Sequence, residues 1–129
     1  MIVLLEKEVT LMRKAMLLIR LITGVVFTIH GFQKVLSGFK MPIDMVTDIG
    51  LPGFLGYPLA LGELLGGFAL IIGFLVNYAA LGLTLIMLGA LVFVHIPQGY
   101  FQSELPLLLL ITNISIMLSY SWKKHFQPY

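Results

Sequence analysis

The chain has 129 residues, of which 59% are hydrophobic and 11% charged, with a formal net charge of +2 and a mean hydropathy of +1.01. Soluble domains lie nearer half apolar and about a quarter charged, and a core of this size cannot hide the excess from water. The composition therefore excludes a soluble globule and implies an integral membrane protein. The absence of cysteine excludes disulfides, zinc–thiolate centres, iron–sulfur ligation and dithiol redox chemistry, and so small a net charge gives no support to nucleic-acid binding.

A spanning helix takes about 20 mostly apolar residues. The first such run covers residues 15–36. It follows a basic start, "MRKAMLLIRLITGVVF", but Arg20 interrupts it and no small-residue cleavage site follows. It is read as a span and not as a removable leader, with Met12 as an alternative start. In "SGFKMPIDMVTDIGLPG", Pro42 opens and Gly50 with Pro52 closes a short helix. Ile43, Val46 and Ile49 recur at threefold spacing, which predicts an interfacial helix between spans one and two.

From Gly53 to Ile96 the only charged residue is Glu63. At about 1.5 Å per residue the stretch is too long for one crossing, so it folds back. Asn77 is the turn-prone residue near its middle, which predicts spans over 53–76 and 78–96. Pro97 ends the third span, and "HIPQGYFQSELP" forms a loop. Ser103 as a cap and Pro106 in the first turn open a fourth span over 105–122, with Tyr120 and Trp122 placed for an interfacial belt. The expected fold is an all-α membrane protein, a four-transmembrane-helix bundle forming one domain over 1–129.

An even number of spans puts both termini on one side. That side carries Lys7, Arg13, Lys14, Lys123 and Lys124; the other carries Lys34 and Lys40 beside Asp44, Asp48 and Glu104. The lysine and arginine bias places both termini in the cytoplasm. Single-cysteine labelling reads this directly: Asp44→Cys is expected to react with an impermeant maleimide on intact cells, and Lys124→Cys is not. The reverse pattern overturns the orientation. Small residues suit close helix packing in lipid: Gly24 and Gly31 on span one, Gly62 and Gly66 with Gly73 on span two, Gly82 and Gly89 on span three.

Ionisable groups inside a span are costly, face the bundle interior and take a partner. Glu63 lies well within span two and is the first candidate for a functional acid. His30 and Lys34 are four residues apart and share a helix face with Phe27, Gly24 and Arg20. The spacing predicts that His30 and Lys34 wall a polar pocket with Glu63 in the outer half of the bundle. On a regular helix His95 falls opposite Gly82 and Gly89, which suits an interfacial histidine; Glu104 suits the positive end of span four. Two histidines and two carboxylates are the right types for a metal, and His30 with His95 for a haem, but no spacing specifies either; no metal site is assigned.

"RLITGVVFTIHGFQKVLSGF", "GELLGGFALIIGF", "LGALVFVH" and "ELPLLLL" together resemble the DoxX family of small bacterial membrane proteins, over residues 20–110. The set of Arg20, Gly24, Phe27, His30, Gly31 and Lys34, with Glu63 followed by Gly66 and Gly67, carries the likeness. The resemblance implies a four-helix bundle in the bacterial plasma membrane. It also implies a link to quinone-dependent oxidoreductase systems, or to resistance against quinones, catechols and oxidative stress. It makes Arg20, His30, Lys34, Glu63 and His95 the family-type polar positions.

The functional expectation is a quinone-associated redox or stress-resistance component of the cell membrane. Glu63, His30 and Lys34 take the catalytic roles, and Arg20, Phe27 and His95 contact a quinone-like cofactor. Two alternatives stand beside it: a non-catalytic subunit or scaffold that holds a partner oxidoreductase in the bilayer, and a small-solute permease.

Overall fold

The computed structural model describes all 129 residues. It is all-helical: α1 (Ile2–Leu36), α2 (Lys40–Asp48), α3 (Gly56–Ile72), α4 (Val76–Ala90) and α5 (Tyr100–Ser119). A 3-10 turn (Gly53–Leu55) leads into α3, and a π turn (Leu91–His95) followed by a 3-10 turn (Ile96–Gln98) extends α4. Four stretches are long and apolar enough to cross a membrane, Ile2–Leu36, Gly53–Ile72, Val76–Gln98 and Tyr100–Ser119. They make this a multi-pass membrane protein.

The long helices form a ring. α1 packs on α3, α3 on α4, α4 on α5, and α5 closes back on α1. The core is a column of Phe27, Leu70, Val76, Ala80, Leu83, Met87, Leu109 and Ile116. Most other apolar side chains face outward, as lipid-facing surfaces do.

The closest helix approach is between α1 and α3. A Cβ on Gly24 would stand 2.8 Å from the Gly67 carbonyl oxygen, and one on Gly67 would stand 2.6 Å from the Thr28 nitrogen. Only glycine lets the two backbones meet there. Gly62 and Gly66 meet side chains of α4, Ile86 and Leu83, while Gly82 and Gly89 have nothing within 4 Å. The Gly82–Gly89 face therefore joins no helix of this chain.

One turn and two helix starts differ from the sequence reading. The α3–α4 turn is Gly73–Leu75, ahead of Asn77. Gly73 caps α3 with φ 85°, and Leu75 takes a left-handed φ of 45°. Asn77 instead sits buried inside α4, where its amide donates to the Tyr120 carbonyl at 2.5 Å. α5 starts at Tyr100 rather than near Leu105, which puts Pro106 inside the helix. α1 begins at Ile2 and is 35 residues long. At about 1.5 Å per residue it is far longer than a ~30 Å hydrocarbon layer requires.

The chain leaves α1 through two left-handed residues, Gly38 (φ 68°) and Phe39 (φ 65°). The Phe39 ring packs on Tyr57 with centroids 4.9 Å apart. α2 then folds back over the bundle and buries Pro42 and Val46. A Cβ on Gly56 would strike the α2 backbone at Pro42 and Ile43, so α2 rests directly on the start of α3.

Candidate functional site

The buried residues of α1 include Arg20, Gly24, Phe27, Gly31 and Lys34, the stripe expected from helical spacing. Gly31 fixes the depth of the site. The backbone of Leu64 occupies the space a side chain at Gly31 would need. That contact sets the Lys34 turn of α1 against the Glu63 turn of α3. The Lys34 Nζ donates to Glu63 Oε2 at 2.6 Å, with the two side chains 10% and 3% exposed. A charged pair this dry survives because each partner relieves the desolvation of the other.

The pair lies in the wall of a cavity of about 590 Å³. Its floor is Phe27, Met87 and Leu109, and α2 contributes Met41, Met45 and Val46. Most of its lining is apolar; the polar exceptions besides the ion pair are His30, Gln33, His95 and Gln102. His30 and His95 are both half-buried. Small-molecule sites have this character: an apolar concavity with a few convergent polar groups.

His95 reaches the cavity through the π turn. Met87 and Leu91 lie on the buried face of α4. A regular helix turns about 100° per residue, which would carry His95 some 80° off that face. The π turn holds one extra residue and sets His95 back by roughly 100°, in line with Met87. Its ring then lies against the backbone of Gln102. Pro106 supplies no N–H to the Gln102 carbonyl, which leaves that acceptor without its usual helical partner.

Five of the six residues expected to form the site thus line one cavity: Phe27, His30, Lys34, Glu63 and His95. Arg20 does not. It lies 14 residues before Lys34 on the same helix, about 21 Å away along the axis. There it is 1% exposed and engaged with the C-terminal segment. Its guanidinium donates to the carbonyls of Gln127 (2.6 Å) and Pro128 (3.1 Å) and stands 5.2 Å over the Tyr120 ring. Arg20 fastens the tail and lies outside the cavity that the other five line. Glu104, placed at the start of span four, is exposed on α5 and outside the cavity lining.

Sequence reasoning missed Gln33, Gln102 and the α2 methionines. Gln33 carried a signal, as a polar residue one position from Lys34. The methionines carried none, because a Met on a short helix reads as packing.

Four helices long and apolar enough to cross a membrane, around a buried lysine–glutamate pair in the wall of a mostly apolar cavity, make this a small multi-pass membrane protein. The family model described as DoxX matches residues 15–96, and the chain belongs to the DoxX family. It is 34% identical over 104 residues to a protein of Bacillus subtilis (strain 168) named "Putative oxidoreductase CatD", covering 80% of this chain and 77% of that one. No solved structure matches the chain.

Proposed function

We propose that this protein is a quinone-associated redox or stress-resistance component of the bacterial plasma membrane. The quinone-like ring would sit in the cavity at the Lys34–Glu63 end, facing the outer leaflet. The observation that carries this reading is the dry ion pair in the wall of an otherwise apolar cavity. A quinone head needs that combination: an apolar slot for the ring and donors for its carbonyl oxygens. Bound there, a quinone would supply two-electron chemistry coupled to the uptake of two protons.

The chain's own groups fit those demands. The Lys34 ammonium donates, and the His30 and His95 rings hold or pass a proton at the rim. Glu63 is the buried acid that exchanges a proton with Lys34 across their hydrogen bond. Phe27 and Met87 close the floor and keep water from the bundle core. That apolar floor also weighs against a permease, because the cavity ends on buried core side chains rather than continuing as a polar stripe. The relative's name, with the word oxidoreductase, supports the redox class.

The test is calorimetric binding of a short-chain ubiquinone or menaquinone analogue to purified protein. His30→Leu and Lys34→Met are expected to lose binding, and Lys40→Met, exposed on α2, to keep it. Glu63→Gln retains a hydrogen-bond acceptor but cannot exchange a proton at neutral pH; it is expected to stay folded and fail to complement a deletion strain. If wild type binds no quinone, or if all three binding variants behave as wild type, the pair is structural. The scaffold reading, a membrane subunit holding a partner oxidoreductase, then takes over.

A further inference from the structure

The opposite end of the molecule holds a second concavity, of about 660 Å³, between α1 and the C-terminal segment. On the helix side its wall is Val9, Met12, Arg13 and Met16, one stripe at helical spacing. On the other side are the last turn of α5 and the tail, with Ser119, Ser121 and Lys124 presenting polar groups. Arg13 and Lys124 are both exposed, and no Asp or Glu side chain lines the cleft.

The tail wall is built and not incidental. Leu75 N–H donates to the His125 carbonyl at 2.7 Å, and Gln127 N–H to the Gly73 carbonyl at 2.7 Å. The Gln127 side chain bonds the Ser121 backbone in both directions, accepting at 3.0 Å and donating at 2.9 Å. Arg20 ties the same segment to α1. These bonds hold a short irregular stretch against α1, so that Lys124 and Arg13 line the same cleft from its two sides.

Depth identifies the occupant. Tyr78 and Trp122 form an edge-on pair with centroids 5.2 Å apart at this end, as aromatic residues do at a membrane interface. Arg20 is level with the α3–α4 turn, and Arg13 lies about 10 Å further out along α1. That height suits headgroups, while Met16, about a turn deeper along α1, and Leu118 in the last turn of α5 supply the apolar part of the wall. The cleft thus has cations and hydroxyls at headgroup level above an apolar wall at chain level.

We propose that this cleft is a site for one anionic phospholipid, its phosphate held between Arg13 and Lys124 and its chains laid against Met16 and Leu118. Basic pockets on the cytoplasmic side of helical bundles recognise anionic headgroups in this way. The site is separate from the cavity at Lys34 and stands whether or not a quinone binds there.

Native mass spectrometry of the full chain, released from nanodiscs of equal phosphatidylglycerol and phosphatidylcholine, tests it. Wild type is expected to retain one phosphatidylglycerol with roughly tenfold preference. Arg13→Gln with Lys124→Gln is expected to abolish the preference. Lys7→Gln with Lys14→Gln, which removes the same charge outside the cleft, is expected to keep it. Equal retention of the two lipids by wild type overturns the proposal. So does equal loss in both double variants, which would mean a general surface effect. Displacement of the retained lipid by millimolar inorganic phosphate would mark a free-anion site and overturn the lipid assignment.

Discussion

Lys34→Met and Glu63→Leu are each expected to destabilise the protein by about 3–5 kcal/mol, while the double variant recovers most of that loss. The reason is desolvation. Both side chains are nearly dry and joined by one 2.6 Å hydrogen bond. Removing either leaves a charge in the bundle with nothing to answer it, whereas removing both leaves an apolar contact of similar bulk. Thermal unfolding of all four proteins in one detergent completes the cycle. Additive losses in the double variant, or single variants as stable as wild type, would show that the two groups do not depend on each other. The double variant also serves the functional test, because it keeps the fold while removing every charge from the cavity wall. A folded double variant that still binds the quinone analogue would remove the pair from the proposed site.

Arg20→Met is expected to cost about 2–4 kcal/mol, from two charge-assisted hydrogen bonds and the contact with the Tyr120 ring. Arg20→Lys is expected to recover only part, because one ammonium lacks the planar fork that reaches two successive carbonyls. The same change should release the tail. Hydrogen exchange at the Leu75 and Gln127 amides, which are bonded to His125 and Gly73, reads that release directly. Loss of protection at both, with protection kept at Glu63, is the expected pattern. An Arg20→Met variant with native stability and unchanged exchange would leave the residue without the fastening role given to it here.

Much of the architecture was legible in the residues. Hydropathy alone yields four crossings, since no shorter count accommodates the run from Gly53 to Ile96. Glu63 and Lys34 stood out because a charge in an apolar segment needs a partner. Asn77 was misread for a related reason. A lone polar residue in a long apolar run looks like a turn, yet here it satisfies a carbonyl of the last loop. The real turn contains Leu75 in a left-handed conformation, which no local preference announces. His95 was set opposite the Gly82–Gly89 face as if that face packed, but that face joins no helix, and a π turn also shifts the 100° step before His95.

The amino-acid sequence by itself determined the solvent, the number of crossings, the family likeness and the identity of the ionisable residues the bundle must accommodate. These follow from composition and local spacing, which each segment carries alone. Which of those residues meet was decided only by the tertiary structure. Lys34 finds Glu63 because Gly31 lets α1 approach the backbone of α3 at Leu64. Arg20 on the same stripe finds carbonyls more than a hundred residues later, for α1 outlasts the bundle core and meets the returning tail. Two cations on one helix face thus serve different ends of the molecule, and the difference lies in what the other segments bring to each level.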